Sequence, residues 1–227
     1  MSKQIEKHFD FQLYSRQLVC DGITSFRKLM CSKILIYGMR GLGVEVAKNI
    51  ILKGPEKVTI FDPEIATIRD GNSNFYLDEK DINNKRRDIA VLNKLQLLNE
   101  NVSVDYINKS KIDDIYEYIL NYNIIILTEL VPNNISIKID RICRENKIYF
   151  IYGVVCGLTS FIFNDFGENH IITEESDVEL NKFKIKNISK NTGKVEIFLP
   201  DSDTGLFDGC FIKFKDIQGM KELNYEY

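Results

Sequence analysis

Residues 33–62 read KILIYGMRGLGVEVAKNIILKGPEKVTIFD. Lys33 to Tyr37 is a short apolar run of strand type. Gly38-Met39-Arg40-Gly41-Leu42-Gly43 turns the chain, Val44 to Leu52 continue as a helix, and Val58 to Phe61 form a second strand ending on Asp62. Strand, glycine turn, helix, strand and acid in this order make a dinucleotide-type unit. Its first glycine forms the tight turn, its second lets a diphosphate lie against the backbone, and its third lets the helix pack on the strand. Gly38 and Gly43 keep the first and third places, but Arg40 holds the middle one. The scaffold is retained, and a bulky cation stands where phosphates need close backbone approach. Asp62 lies at roughly the distance where a ribose-binding acid is expected, the lesser alternative being a cap or turn residue ahead of Pro63.

Working outward, residues 8–31 read as two helical segments meeting at Asp21-Gly22, with Phe11, Tyr14 and Leu18 at helical spacing. Pro63 to Lys80 is a polar loop. Asn84 to Leu98 is an amphipathic helix with Ile89, Leu92, Leu95 and Leu98 on its apolar stripe, and Lys85-Arg86-Arg87 as an ordinary charged start. Val102 to Ile107 alternates as a strand, and Asp113 to Leu120 reads as a short helix. Asn123 to Leu127 and Ile148 to Tyr152 are the near-continuous apolar runs of strands buried on both faces, separated by a helix over Asn134 to Glu145. Strands alternating with helices predict an α/β domain with a doubly wound, mainly parallel sheet.

Near Gly167 the pattern changes. Residues 158–173 are extended, and three β-like runs follow at Phe183 to Ile188, Lys194 to Leu199 and Cys210 to Phe214, separated by turn residues. This is a small all-β module with little core of its own. It runs into a polar tail without a closing element, so the chain reads as a segment of something longer.

Composition excludes several function classes. A net charge of −3 gives no general attraction to nucleic acid or anionic membranes, and the basic run Lys85-Arg86-Arg87 lacks interleaved aromatics. No apolar run approaches the ~20 residues of a transmembrane helix, and the polar start Met1 to Lys7 is unlike a secretory signal. The five cysteines, Cys20, Cys31, Cys143, Cys156 and Cys210, are scattered and odd in number, which argues against a disulfide framework or a metal site and for buried reduced thiols. With only His8 and His170 present, a Cys–His or Ser–His pair has little support.

Tyr14-Ser15-Arg16-Gln17, the stretch from Gly38 through Arg40 to Leu52, and Asn74-Phe75-Tyr76-Leu77 together resemble the adenylation fold of ubiquitin-activating enzymes, a ThiF/MoeB-like fold. The closer resemblance is to the N-terminal, catalytically inactive half of that fold. Residues from Asp208 to Asn224 resemble the β-barrel inserted into it, the first catalytic-cysteine half-domain. The resemblance implies an inactive Rossmann-like adenylation domain over residues 1–169 and a β-barrel module over 170–227.

It also implies a set of lost contacts. Active halves carry a glycine at Arg40, an asparagine and an arginine at the places of Asp70 and Ser73, a lysine at Arg86 and a magnesium-binding aspartate at Glu129; Asp62 alone matches. Gly38, Arg40, Gly41, Gly43 and Asp62 are then a vestigial nucleotide site, with no cofactor or metal bound by this segment. ATP and magnesium belong to the active half. Arg16 matches the family arginine that reaches in trans toward ATP phosphates there, although its spacing alone would make it a solvent-facing helix arginine. The implied partners are the active half of the same polypeptide, ubiquitin and ubiquitin-conjugating enzymes, in cytoplasm and nucleus, without nucleic acid or membrane. Rival readings are the inactive small subunit of a heterodimer that activates SUMO or another ubiquitin-like modifier, and an NAD-dependent oxidoreductase built on the same unit.

Overall fold

The structure is a computed structural model that describes residues 13–170, 183–198, 212 and 214–223. The chain divides into two units between residues 174 and 175. In the first, helices α1 (Ser15–Asp21) and α2 (Ile23–Met30) precede strand β1 (Lys33–Tyr37), helix α3 (Gly41–Lys53) and strand β2 (Lys57–Phe61). A four-residue helix α4 (Ile68–Gly71), helix α5 (Arg87–Gln96), strands β3 (Ser103–Tyr106) and β4 (Ile124–Leu127), helix α6 (Asn133–Glu145), and strands β5 (Tyr149–Cys156) and β6 (Thr159–Asp165) follow. The strand order is β3-β2-β1-β4-β5-β6, parallel except for β6, which runs antiparallel beside β5. The mainly parallel, doubly wound sheet expected from the alternating pattern is present.

Period-two alternation explains the two core layers. Ile34 and Ile36 point to one face of the sheet, where they pack with Val44, Ala47, Ile51, Val91 and Leu95 from α3 and α5. Leu35 points to the other, with Phe61, Ile115, Ile125, Ile139 and Phe150. A central strand apolar at every interior position is therefore covered on both sides, as βαβ crossovers require. Tyr14, Phe26 and Met30 form a smaller cluster joining α1 to α2.

Several expectations need correction. Helix α5 begins at Arg87 because Arg86 is extended, with ψ at 145°. Its buried positions include Val91 and Leu95, whereas Ile89 faces solvent. The segment from Asp113 to Leu120 is two 3-10 turns, Ile112–Glu117 and Ile119–Asn121. Of the thiols, Cys143 is buried, but Cys20, Cys31 and Cys156 are exposed. They lie on an outward face of α1, just past α2 and at the end of β5, where no second layer covers them. Cys210 lies outside the described residues, as do Phe11 and His8.

Among the described residues of the second unit, strands β7 (Ile185–Ile188) and β8 (Val195–Ile197) form a two-stranded antiparallel sheet, matching the first two β-like runs. Lys221–Leu223 is a 3-10 turn where no helical pattern was expected. The third run, Cys210 to Phe214, falls mostly outside the described residues.

Candidate functional site

In the order 3-2-1-4-5 the chain leaves β1 toward β2 on one side and returns to β4 on the other, so a crevice opens beyond the carboxyl ends of β1 and β4. The glycine turn occupies it. Gly38 adopts φ +92°, a left-handed conformation, and a Cβ there would strike Thr128 and Glu129 at the end of β4. A Cβ at Gly43 would strike the Gly38 carbonyl, so this glycine seats the first turn of α3 against the end of β1. Thr128 Oγ1 donates to the Tyr37 and Gly38 carbonyls at 2.8 and 3.0 Å, tying β4 to the turn. Ser73 packs over Gly41.

Asp62 sits at the end of β2, 1% exposed, and both oxygens of its carboxylate accept hydrogen bonds from the protein. Oδ2 accepts from the Met39 N–H at 2.7 Å and from Arg87 Nε at 2.7 Å, and Oδ1 accepts from the Glu64 N–H at 3.1 Å. Asp62 thus braces the glycine turn and, as the turn reading expected, shapes its own turn ahead of Pro63. Arg87 continues to Asp70, with Nη1 3.3 Å from Oδ2. Arg40 leaves the turn to reach Asp70 Oδ1 at 3.3 Å and Glu129 Oε1 at 3.6 Å. Asn74 Nδ2 donates to the Met39 carbonyl at 2.8 Å, so Asn74 holds the turn from the far side. Arg86 grips Asp88 through Nε at 3.1 Å and Nη2 at 2.6 Å, and Asp88 Oδ2 accepts the Asp62 N–H at 2.9 Å.

This network assigns the sequence candidates their places. Gly38, Arg40, Gly41, Gly43 and Asp62 do converge at one crevice, and Asp70, Ser73, Arg86 and Glu129 join them. The reading of Lys85-Arg86-Arg87 as an ordinary charged start is overturned: Arg87 is 3% exposed and locks Asp62. Arg87 and Asp88 are the site residues that sequence reading missed. A usable signal existed, because a cation in the first turn of a helix opposes the helix dipole and needs carboxylates nearby to be held there.

The electrostatics follow from burial and pairing. Burial works to raise the Asp70 carboxyl, but hydrogen bonds from Thr67 and the charges of Arg87 and Arg40 hold it below its ordinary range. Burial raises Glu129, with Arg40 only partly offsetting it. Burial likewise raises Asp88 against the pull of Arg86. The Tyr37 hydroxyl is pushed up to about 12 by burial and by the negative charges of Asp62 and Glu129. Four carboxylates (Asp62, Asp70, Asp88, Glu129) face three guanidiniums (Arg40, Arg86, Arg87), and each guanidinium is within 4 Å of at least one carboxylate. A phosphate entering here meets no cation in surplus. No group of three or more His, Cys, Asp or Glu side chains that could hold a metal is assembled among the described residues.

Arg16 is not part of this crevice. Its helix α1 docks at the opposite end of α3, where Gln17 Nε2 donates to the Lys53 carbonyl at 3.0 Å and Lys53 pairs with Asp21 at 3.0 Å. Tyr14 packs on Phe26, and its hydroxyl accepts from Asn99 Nδ2 at 3.1 Å. Thirteen residues of α3 separate that dock from the glycine turn, roughly 18 Å at 1.5 Å per residue. The Arg16 side chain faces solvent.

Comparison with known proteins gives the relatives of this chain. The chain is 31% identical over 224 residues to ubiquitin-like modifier-activating enzyme 1 of Dictyostelium discoideum, covering 99% of this chain and 22% of that protein. It is 34% identical over 218 residues to ubiquitin-activating enzyme E1 1 of Candida albicans (strain WO-1), covering 96% and 21%. Identity to the human ubiquitin-like modifier-activating enzyme 1 is 33% over 219 residues, covering 96% and 20%. The chain therefore spans about a fifth of the length of the curated relatives it matches. Among solved structures, E. coli MccB with succinimide superposes with a TM-score of 0.54 at 19% identity, over 63% of this chain and 44% of that one, a likeness of fold. With its βαβ unit, glycine turn and β2 acid all inside the matched span, residues 14–173, the chain belongs to the ThiF family.

Proposed function

We propose that this chain is the non-catalytic half of an adenylation scaffold of the ubiquitin-activating kind. It keeps the fold, leaves Mg-ATP to a partner adenylation half, and lends that half Arg16. The relatives' names supply ubiquitin and ubiquitin-like modifiers as the proteins activated, and the whole assembly would hand them on to conjugating enzymes inside the cell.

The observation that carries this reading is the closed crevice. Asp62 is already bonded to Arg87, Arg40 spans Asp70 and Glu129, and Ser73 lies over Gly41. The residues present do not fit Mg-ATP. Triphosphate needs surplus cations and an open backbone approach, and here carboxylates outnumber guanidiniums in a crevice that Arg40 crosses. Arg16, by contrast, is exposed, and its helix docks at the end of α3 away from its own glycine turn. An arginine outside its own crevice that stays charged and donates a planar fork suits a phosphate presented by a neighbour.

Calorimetric titration of the chain with Mg-ATP tests the proposal. We expect no binding tighter than about 0.1 mM, which corresponds to roughly −5.5 kcal/mol. A tighter constant, removed by substitution at Asp62, would overturn the reading and return this crevice to the class of working nucleotide sites.

A further inference from the structure

We infer that Arg87 is a built-in occupant of the crevice, standing where the vicinal hydroxyls of a ribose would donate to Asp62. The inference rests on reading the crevice as a nucleotide fold without its nucleotide, and it separates two exclusions. Arg40, Asp70 and Ser73 bar the phosphates; Arg87 bars the nucleoside.

In a doubly wound sheet an acid at the end of the second strand accepts hydrogen bonds from ribose hydroxyls. Here one oxygen of that acid, Asp62 Oδ2, receives Arg87 Nε at 2.7 Å beside the Met39 N–H at 2.7 Å. The carboxylate offers about four lone-pair positions, and three are filled from within the chain once Glu64 N–H is included. Both side chains of the pair are almost wholly buried, at 4% and 2% exposure, so no space remains for a second donor from solvent.

The guanidinium does not sit there by local preference. Arg87 is the first residue of α5, at the positive end of the helix, where a cation is disfavoured. It is held by Asp62 on one side and Asp70 on the other, and although burial works against its charge, the hydrogen bond and charge of Asp62 and the charge of Asp70 more than offset it. The Arg87 Nε–H stands in for a ribose O–H on Asp62 while Nη1 turns to Asp70, and the glycine turn is braced without a ligand.

The test combines the intact chain with two variants. Arg87→Ser removes the occupant and frees the Asp62 position that Arg87 Nε fills, the Met39 and Glu64 N–H bonds remaining; Arg87→Ser with Asp70→Asn does the same while restoring the charge balance. Saturation-transfer NMR with adenosine as probe should show no uptake by the intact chain and millimolar uptake by either folded variant. 2′-Deoxyadenosine, lacking one hydroxyl, should bind roughly tenfold more weakly. A folded variant that takes up no more adenosine than the intact chain overturns the inference. An independent reading needs no variant: in the intact chain the Arg87 Nε–H should exchange with water far more slowly than the exposed Arg16 Nε–H, and equal rates would also overturn it. Failure here leaves the Mg-ATP titration of the intact chain untouched, so the two proposals fall separately.

Discussion

Asp70 shows how one side chain can serve structure and exclusion at once. It caps α4 by accepting from Thr67 N–H and Oγ1 at 2.8 and 2.9 Å, and it receives Arg87 and Arg40 on its two oxygens. Because its carboxyl titrates below the ordinary 3.8 in the folded chain, the folded state binds that proton less readily than the unfolded one. The stability it contributes is complete above the unfolded value and is lost as pH falls through the lower folded value. Asp70→Asn should therefore cost about 1.5–3 kcal/mol at pH 7, with the difference from wild type closing as pH drops below about 4. Denaturant melts across that range check it; a gap of equal size at both ends would assign the effect to shape rather than charge. Arg16 presents the opposite case, an exposed side chain with little structural work. If the proposed activating assembly holds, Arg16→Ala in it should lower pyrophosphate exchange roughly ten- to a hundredfold while this chain's melting stays within about 0.5 kcal/mol. Unchanged exchange would reduce Arg16 to surface.

At the scale of elements, helix α5 separates what periodicity can see from what packing decides. Leu95 lies wholly inside the layer formed with α3, whereas Ile89, two residues into the same helix, faces solvent at 38% exposure. Leu95→Ala should cost about 2–5 kcal/mol, and Ile89→Ala should stay within about 0.5 kcal/mol; equal losses in urea unfolding would contradict the assigned face. The apolar spacing alone put both on one stripe. The buried first turn is instead given to Arg87 and Asp88, which meet β2 and the loop after it, so the helix rotates its polar pair inward and carries Ile89 outward. Helix α1 illustrates the same point. Tyr14 and Leu18 at helical spacing were readable, but only the end of α3, with its Lys53 carbonyl free to accept from Gln17, explains where that helix docks.

Across the first unit, the apolar surface is unevenly covered. Strand β6 is exposed at every position from Thr159 to Asn164, and Val155, Leu158, Phe161, Ile162 and Phe163 crowd one antiparallel ribbon. Exposed apolar side chains gathered on one ribbon mark an interaction site or an association liability. The isolated chain should self-associate with rising concentration in sedimentation runs, and Leu158→Glu with Ile162→Lys should suppress it without altering the circular dichroism. A monomer throughout the series would remove the ribbon as a partner surface. No helix among the described residues is long and apolar enough to cross a membrane.

By itself the sequence determined the sheet and its turn. Strand periodicity, the left-handed place that Gly38 must fill, and the close approach at Gly43 are local properties of the chain, legible wherever neighbouring residues decide backbone shape. It also marked Arg40 as an obstruction, since side-chain bulk at a backbone contact needs no tertiary knowledge. What only the tertiary structure decided is the partner of each charge. Arg87 lies 25 residues from Asp62 and 17 from Asp70, and nothing along the chain distinguishes a solvated arginine at a helix start from one buried between two carboxylates. The difference arises because α5 returns its first turn to the end of β2, and water is removed from the crevice only when both elements are in place. Desolvation then makes pairing obligatory, and a site that resembled an empty cradle becomes one filled by its own chain.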